Sequence, residues 1–112
     1  MKKLLLIVFL LAQTIFAQSE LLIKLKQLPG VEITEIEVVP PFTEAYEIML
    51  EQPVNHLRPN GERFTQKMFL SHVDFDKPMV METEGYSIRD GRHTELSKML
   101  NCNELIVEHR YF

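Results

Sequence analysis

Apolar residues change their spacing along this chain, and each change marks an element. Leu21, Leu22, Leu25 and Leu28 recur at helical intervals among lysines until Pro29-Gly30 interrupts them, which predicts a short amphipathic helix over residues 21–28. From Val31 the period drops to two: Val31, Ile33, Ile36, Val38 and Val39 alternate with Glu32, Glu35 and Glu37. That is a strand pattern, and the slip near Thr34 predicts a bulge. Pro40-Pro41 ends it. Ala45 to Leu50 starts a second strand, with Tyr46, Ile48 and Leu50 on one face. Pro53, Pro59 and the Asn60-Gly61 turn signal follow, and Arg63 to Phe69 resumes the extended pattern, with Phe64, Gln66 and Met68 alternating against Thr65 and Lys67. Antiparallel pairing of these two strands is the expected result.

Beyond Pro78 the pattern becomes strand, helix, strand. Met79-Val80-Met81 is a short apolar run, Leu96, Met99 and Leu100 lie at helical spacing within 92–100, and Leu105-Ile106-Val107 is a continuous apolar run. Two strands at this separation, joined by a helix, call for a right-handed crossover and parallel pairing. Asn101 and Asn103 are candidate terminators of the helix, because asparagine tolerates the left-handed conformation that ends many helices. An uninterrupted Leu-Ile-Val run reads as a strand buried on both faces, which needs neighbours on each side and helices above and below. Since the 112 residues stop just after it, the expectation is the front portion of a longer α/β protein.

The first 17 residues read as an address. Lys2-Lys3 precedes an apolar stretch from Leu4 to Ala12, and a polar break follows around Phe16-Ala17-Gln18. The stretch falls short of the roughly 20 residues a membrane-spanning helix needs, so it predicts a secretory signal peptide cleaved after Ala17 and a secreted or periplasmic product without stable membrane association. Removing it takes Lys2 and Lys3 and leaves 10 basic against 16 acidic side chains, a formal charge of −6 where the whole chain carries −4. Such an acidic surface repels phosphates and argues against nucleic acid as a partner. Cys102 is the single cysteine, so no disulfide can form within the chain, and its plain reading is a small apolar residue leading into the last strand.

Several blocks, taken in order, resemble a known family. They are Gln52-Pro53-Val54-Asn55-His56, then Phe64-Thr65-Gln66-Lys67, then Lys77-Pro78-Met79-Val80 leading to Glu84-Gly85-Tyr86, then Glu95-Leu96, and finally Asn103 through Glu108-His109-Arg110-Tyr111-Phe112. From about residue 45 onward the chain resembles the start of the secreted tripeptidyl aminopeptidases of the PS-ten type, serine peptidase family thirty-seven, which are distantly similar to the lysosomal Pro-X carboxypeptidases. The resemblance implies the N-terminal part of an α/β-hydrolase fold: an antiparallel β-hairpin followed by a parallel βαβ unit, truncated after the second parallel strand. Residues 18–44 would form an N-terminal extension, and residues 45–112 the front of the peptidase domain. It also implies a peptide substrate, no cofactor, and a Ser-Asp-His triad whose nucleophile stands at an elbow further along.

Within the chain no triad is expected. The mature serines are Ser19, Ser71, Ser87 and Ser97, and none has the Gly-x-Ser-x-Gly context of such an elbow; Gly85-Tyr86-Ser87-Ile88-Arg89 comes nearest, with Arg89 where a glycine is required. Gly85 and Tyr86 are the oxyanion-hole candidates, since the loop after the third hydrolase strand supplies a backbone N–H and Gly85 leaves the approach open; a plain strand-ending turn is the competing reading. Glu84 is the candidate for holding a substrate's free ammonium by a charge-assisted hydrogen bond, against a solvated loop acid. Glu108, His109 and Arg110 are expected as support at the active-site edge, with Glu108 and Arg110 as a partly buried ion pair. His56, His72 and His93 lack second ligands at metal spacing, so no metal is expected. The alternative to the peptidase is a small secreted β-rich binding or inhibitor module without enzymatic activity.

Overall fold

The computed structural model describes residues 17–110. The predicted leader and Tyr111-Phe112 lie outside the described residues, apart from Ala17 at the leader's end. Seven elements follow one another: helix α1 (Glu20–Lys26), strands β1 (Val31–Glu35), β2 (Glu44–Pro53), β3 (Arg63–His72) and β4 (Met79–Thr83), helix α2 (Glu95–Leu100) and strand β5 (Asn103–Val107). The strands form one five-stranded sheet in the order β1-β2-β3-β5-β4.

Local chemistry sets the first boundaries. Ser19 caps α1, its hydroxyl accepting the Leu22 N–H at 3.0 Å, with Glu20 in the first turn and Lys24 and Lys26 in the last, each sign at the end of the helix dipole that favours it. Ser19 also donates to Glu44, which accepts from Tyr46 as well, so the cap is tied to β2. Leu21, Leu22 and Leu25 bury against Tyr46, Ile48 and Leu70, which share one face of the sheet, with Val31, Ile33, Met68 and Leu105 packed around them. Gly30 turns the chain into β1 at φ 71°, where an added Cβ would also stand 3.3 Å from the Glu51 carbonyl.

The expected bulge near Thr34 is absent. β1 pairs with β2 without a break from Val31 opposite Leu50 to Glu35 opposite Tyr46, and it ends there. Ile36 then contributes to the opposite face, packing with Phe69, Ile88 and Ile106. The slip in the alternation therefore marks a change of the face being served rather than an inserted residue. β2 and β3 pair antiparallel over ten positions, from Glu44 opposite His72 to Pro53 opposite Arg63, around the Asn60-Gly61 loop.

The fold class needs correction: among the described residues the chain is mostly β, a mixed sheet with one parallel pair, β4 with β5, and helices of only 7 and 6 residues. It is not a partial α/β-hydrolase. Burial shows why the pattern misled. An α/β layer needs helices whose apolar faces cover the sheet. In α2 the only buried residue is Ser97, while Leu96, Met99 and Leu100 are 52, 81 and 56% exposed. β4 is an edge strand of the sheet, paired on one side only, with β5. Interior position falls to β5, which pairs antiparallel with β3 and parallel with β4 and buries Ile106 completely.

Asn101 ends α2 in the left-handed region at φ 47° and ψ 55°. Asn103 does something else. Buried at the start of β5, its side chain accepts from the N–H groups of Val73 and Asp74 and donates to the carbonyls of Asp74 and Lys77, fastening the 73–78 turn to the sheet. Cys102, also buried, fills space between the two elements.

The outer side of β4 carries no strand among the described residues, and Met79 and Met81 are 51 and 64% exposed there. Bare apolar edges template association. Residues 18–112 expressed alone are therefore expected to bind a hydrophobic dye and self-associate, and Met81→Lys should reduce both by sedimentation and fluorescence. A dye-silent monomer in the unsubstituted chain would contradict this.

Candidate functional site at the end of the sheet

Parallel pairing puts the carboxyl ends of β4 and β5 at the same edge. The Glu84 N–H donates to the Val107 carbonyl at 2.9 Å, so residues 84–86 and 108–110 leave the sheet side by side. Because β3 runs antiparallel to β5, the start of β3, the end of β2 and the hairpin loop between them reach the same edge.

Arg110 organises this edge. Its Nη2 donates to the carbonyls of Pro53 and Val54 at 2.9 and 2.7 Å, and its Nη1 lies 2.7 Å from Nε2 of His56. Arginine can only donate, so His56 accepts at Nε2 and holds its own proton on Nδ1. The guanidinium also lies 5.1 Å from the Phe64 ring centroid, within cation–π range. Behind it Gln52 donates to Gln66, which donates to the Glu108 carbonyl at 2.7 Å. The Gln52-to-His56, Phe64-to-Gln66 and Glu108-to-Arg110 segments, more than forty positions apart at their extremes, form one cluster. Glu108 takes part through its backbone, whose N–H also donates to Lys67. His109 is exposed.

The Glu84-Gly85-Tyr86 loop adjoins β5. Glu84 is ion-paired with Arg92, which also donates to Glu82 at 2.7 Å, so two carboxylates share one guanidinium. Any ammonium reaching Glu84 competes with that arginine. Gly85 has nothing within 4 Å of an added Cβ, and Tyr86 is 77% exposed. Their oxyanion role follows from the hydrolase strand order and loses that premise with the corrected fold.

Sequence reasoning missed a second cluster, around Glu104. This side chain is 1% exposed and accepts from the Thr94 N–H at 2.7 Å, the Thr94 hydroxyl at 2.8 Å, the Ser97 hydroxyl and Nδ1 of His93 at 2.8 Å. Burial pushes its carboxyl upward, but the bonds from Ser97, His93 and Thr94 outweigh that and hold it below the usual carboxylate range. The carboxylate stands between the serine and the histidine, whereas a catalytic relay places the histidine between the other two. The arrangement fastens α2 and its cap to β5. Its signal was faint: Glu104 precedes an apolar run and reads as a solvated charge.

Among the described residues no group of three or more histidine, cysteine or acidic side chains could hold a metal ion, and no helix is long and apolar enough to cross a membrane. Comparison with protein families, with curated proteins and with solved structures finds no match.

Proposed function

We propose that this chain forms the substrate-facing edge of an exported serine-type aminopeptidase that releases short N-terminal peptides, proline-containing ones among them, from oligopeptides. The observation that carries the reading is the cluster around Arg110: three blocks quoted for the peptidase resemblance are separate in sequence and converge at the end of β5, whose last residue, Val107, also accepts from the Glu84 N–H. The reading does not depend on the hydrolase strand order. On it, the peptide lies across the end of β4 and β5, Glu84 faces its ammonium, and the reacting serine comes from polypeptide outside these 112 residues.

A fluorophosphonate probe tests this, since it labels a serine only when a base and an oxyanion site activate it. The product of the intact gene should be labelled and should hydrolyse tripeptidyl reporters with a free N-terminus, while residues 18–112 should do neither. An intact product that is unlabelled and inert on those reporters would overturn the proposal, as would labelling of residues 18–112. The bare edge of β4 favours a second reading, a non-enzymatic β-rich binding module, and the unlabelled outcome would support it.

A further inference from the structure

Arg92 touches the carboxylates of Glu82, in β4, and Glu84, in the loop that follows, and also lines a cavity of about 250 Å³, together with Ser87, Ile88, Arg89 and Ile106. The floor is apolar, since Ile88 and Ile106 are 6 and 1% exposed; the charged lining residues are Arg89 and Arg92, and the carboxylates of Glu82 and Glu84 adjoin the cavity through Arg92. Drug-sized ligands occupy pockets of roughly 300–1,000 Å³, so this one is suited to a single side chain. Glu82 and Ile106 are paired across β4 and β5, which puts the cavity floor and this partner of Arg92 on the same face of the sheet.

The Oε1 atom of Glu84 has no exposed surface of its own, and the ion pair with Arg92 is made at that atom. The Arg92 side chain itself is 55% exposed, and its second partner, Glu82, would keep it anchored if Glu84 were taken away. Two carboxylates sharing one guanidinium leave one of them available to another cation at small cost, because the arginine keeps a charged partner throughout.

We propose that this cavity is the subsite for the first residue of the peptide, its apolar side chain resting on Ile88 and Ile106 while its α-ammonium displaces Arg92 from Glu84 onto Glu82. This rests on the aminopeptidase reading and specifies its substrate: a free N-terminus bearing an apolar side chain. Arg92 is a positioning residue here, a cover exchanged for the substrate's charge. N-acetylation removes the ammonium, and a glycine in first position leaves the cavity empty.

Binding by the intact gene product measures this without any turnover. Leu-Ala-Ala-amide should bind about tenfold more tightly than its N-acetylated form in titration calorimetry, the scale of one charge-assisted contact at a partly exposed site. Glu84→Gln should erase that ratio. Arg92→Gln should do the opposite, tightening the free peptide severalfold because the competing cation is gone, and this variant keeps the test open if Glu84→Gln fails to fold. Ser87→Trp, at the exposed rim, should abolish the preference for leucine over glycine in first position. Equal affinities for free and acetylated peptide in the unsubstituted protein, or weaker binding by Arg92→Gln, would overturn the proposal. Fluorophosphonate labelling of an intact product that binds free and acetylated peptide equally would leave the peptidase reading standing and remove the subsite. Selective binding by an unlabelled protein would retain the subsite and remove the peptidase.

Discussion

Replacing Glu104 by leucine is expected to cost about 3–5 kcal/mol of folding stability, the range found when one partner of a buried charged network is removed. The substitution leaves the Thr94 N–H, the hydroxyls of Thr94 and Ser97, and the His93 ring facing an apolar side chain in a site closed to water. Each unsatisfied buried donor costs about 1–3 kcal/mol, and partial relaxation keeps the total below their sum. Set against the roughly 5–15 kcal/mol that holds a typical domain together, this is enough to unfold a marginal one.

Acid should act on the same residue. Its carboxyl is held below the usual value of 4.5, so its stabilisation is fully present above that value and is lost as pH falls through the lower folded one. Denaturant midpoints should therefore be flat in Glu104 terms from neutral pH to about 5 and decline below 4.5, while Glu104→Gln should start lower and lack that part of the acid decline. A midpoint in Glu104→Gln equal to the unsubstituted chain at pH 7 would show the network to be unimportant.

The hairpin was legible because its signals are local. The alternation on either side sets the faces and so the ten paired positions, whereas the connection is a loop over residues 54–62 that bends at Asn55–Arg58 and Arg58–Gly61 and not a two-residue Asn-Gly turn. The layer architecture was not legible, because periodicity reports spacing and not coverage. Leu96, Met99 and Leu100 have the spacing of a buried helix face, yet six residues make too short a helix to cover a sheet. The place of Met79 and Met81 in an edge strand depends on strand order rather than on their own segment. At the candidate site, the three blocks around Arg110 could be singled out in the sequence, whereas their convergence requires β3 to run antiparallel to β5. The Glu104 cluster was hidden for a related reason: a glutamate ahead of an apolar run looks solvated until the cap of α2 folds over it.

The central claim is that Arg110 assembles a working peptidase edge, and the second large effect follows from it. Arg110→Ala removes donors to the Pro53 and Val54 carbonyls and to His56, and it frees the hairpin loop from the end of β5. Stability should fall by about 1–3 kcal/mol, since the remaining ladder of β2 and β3 stays intact. Activity should fall further, because displacing substrate-facing groups by about 1 Å can cost about 10²-fold even from outside the reacting centre. Lysine keeps the charge but lacks the planar fork that reaches two carbonyls and a ring nitrogen at once, so Arg110→Lys should recover little of the loss. The decisive measurement is kcat/KM of the intact gene product on a free tripeptidyl reporter, taken at a temperature where both variants remain folded. A drop of about 10²-fold is expected in Arg110→Ala, mostly in kcat, with Arg110→Lys close to it. Turnover unchanged in a folded Arg110→Ala protein would contradict it.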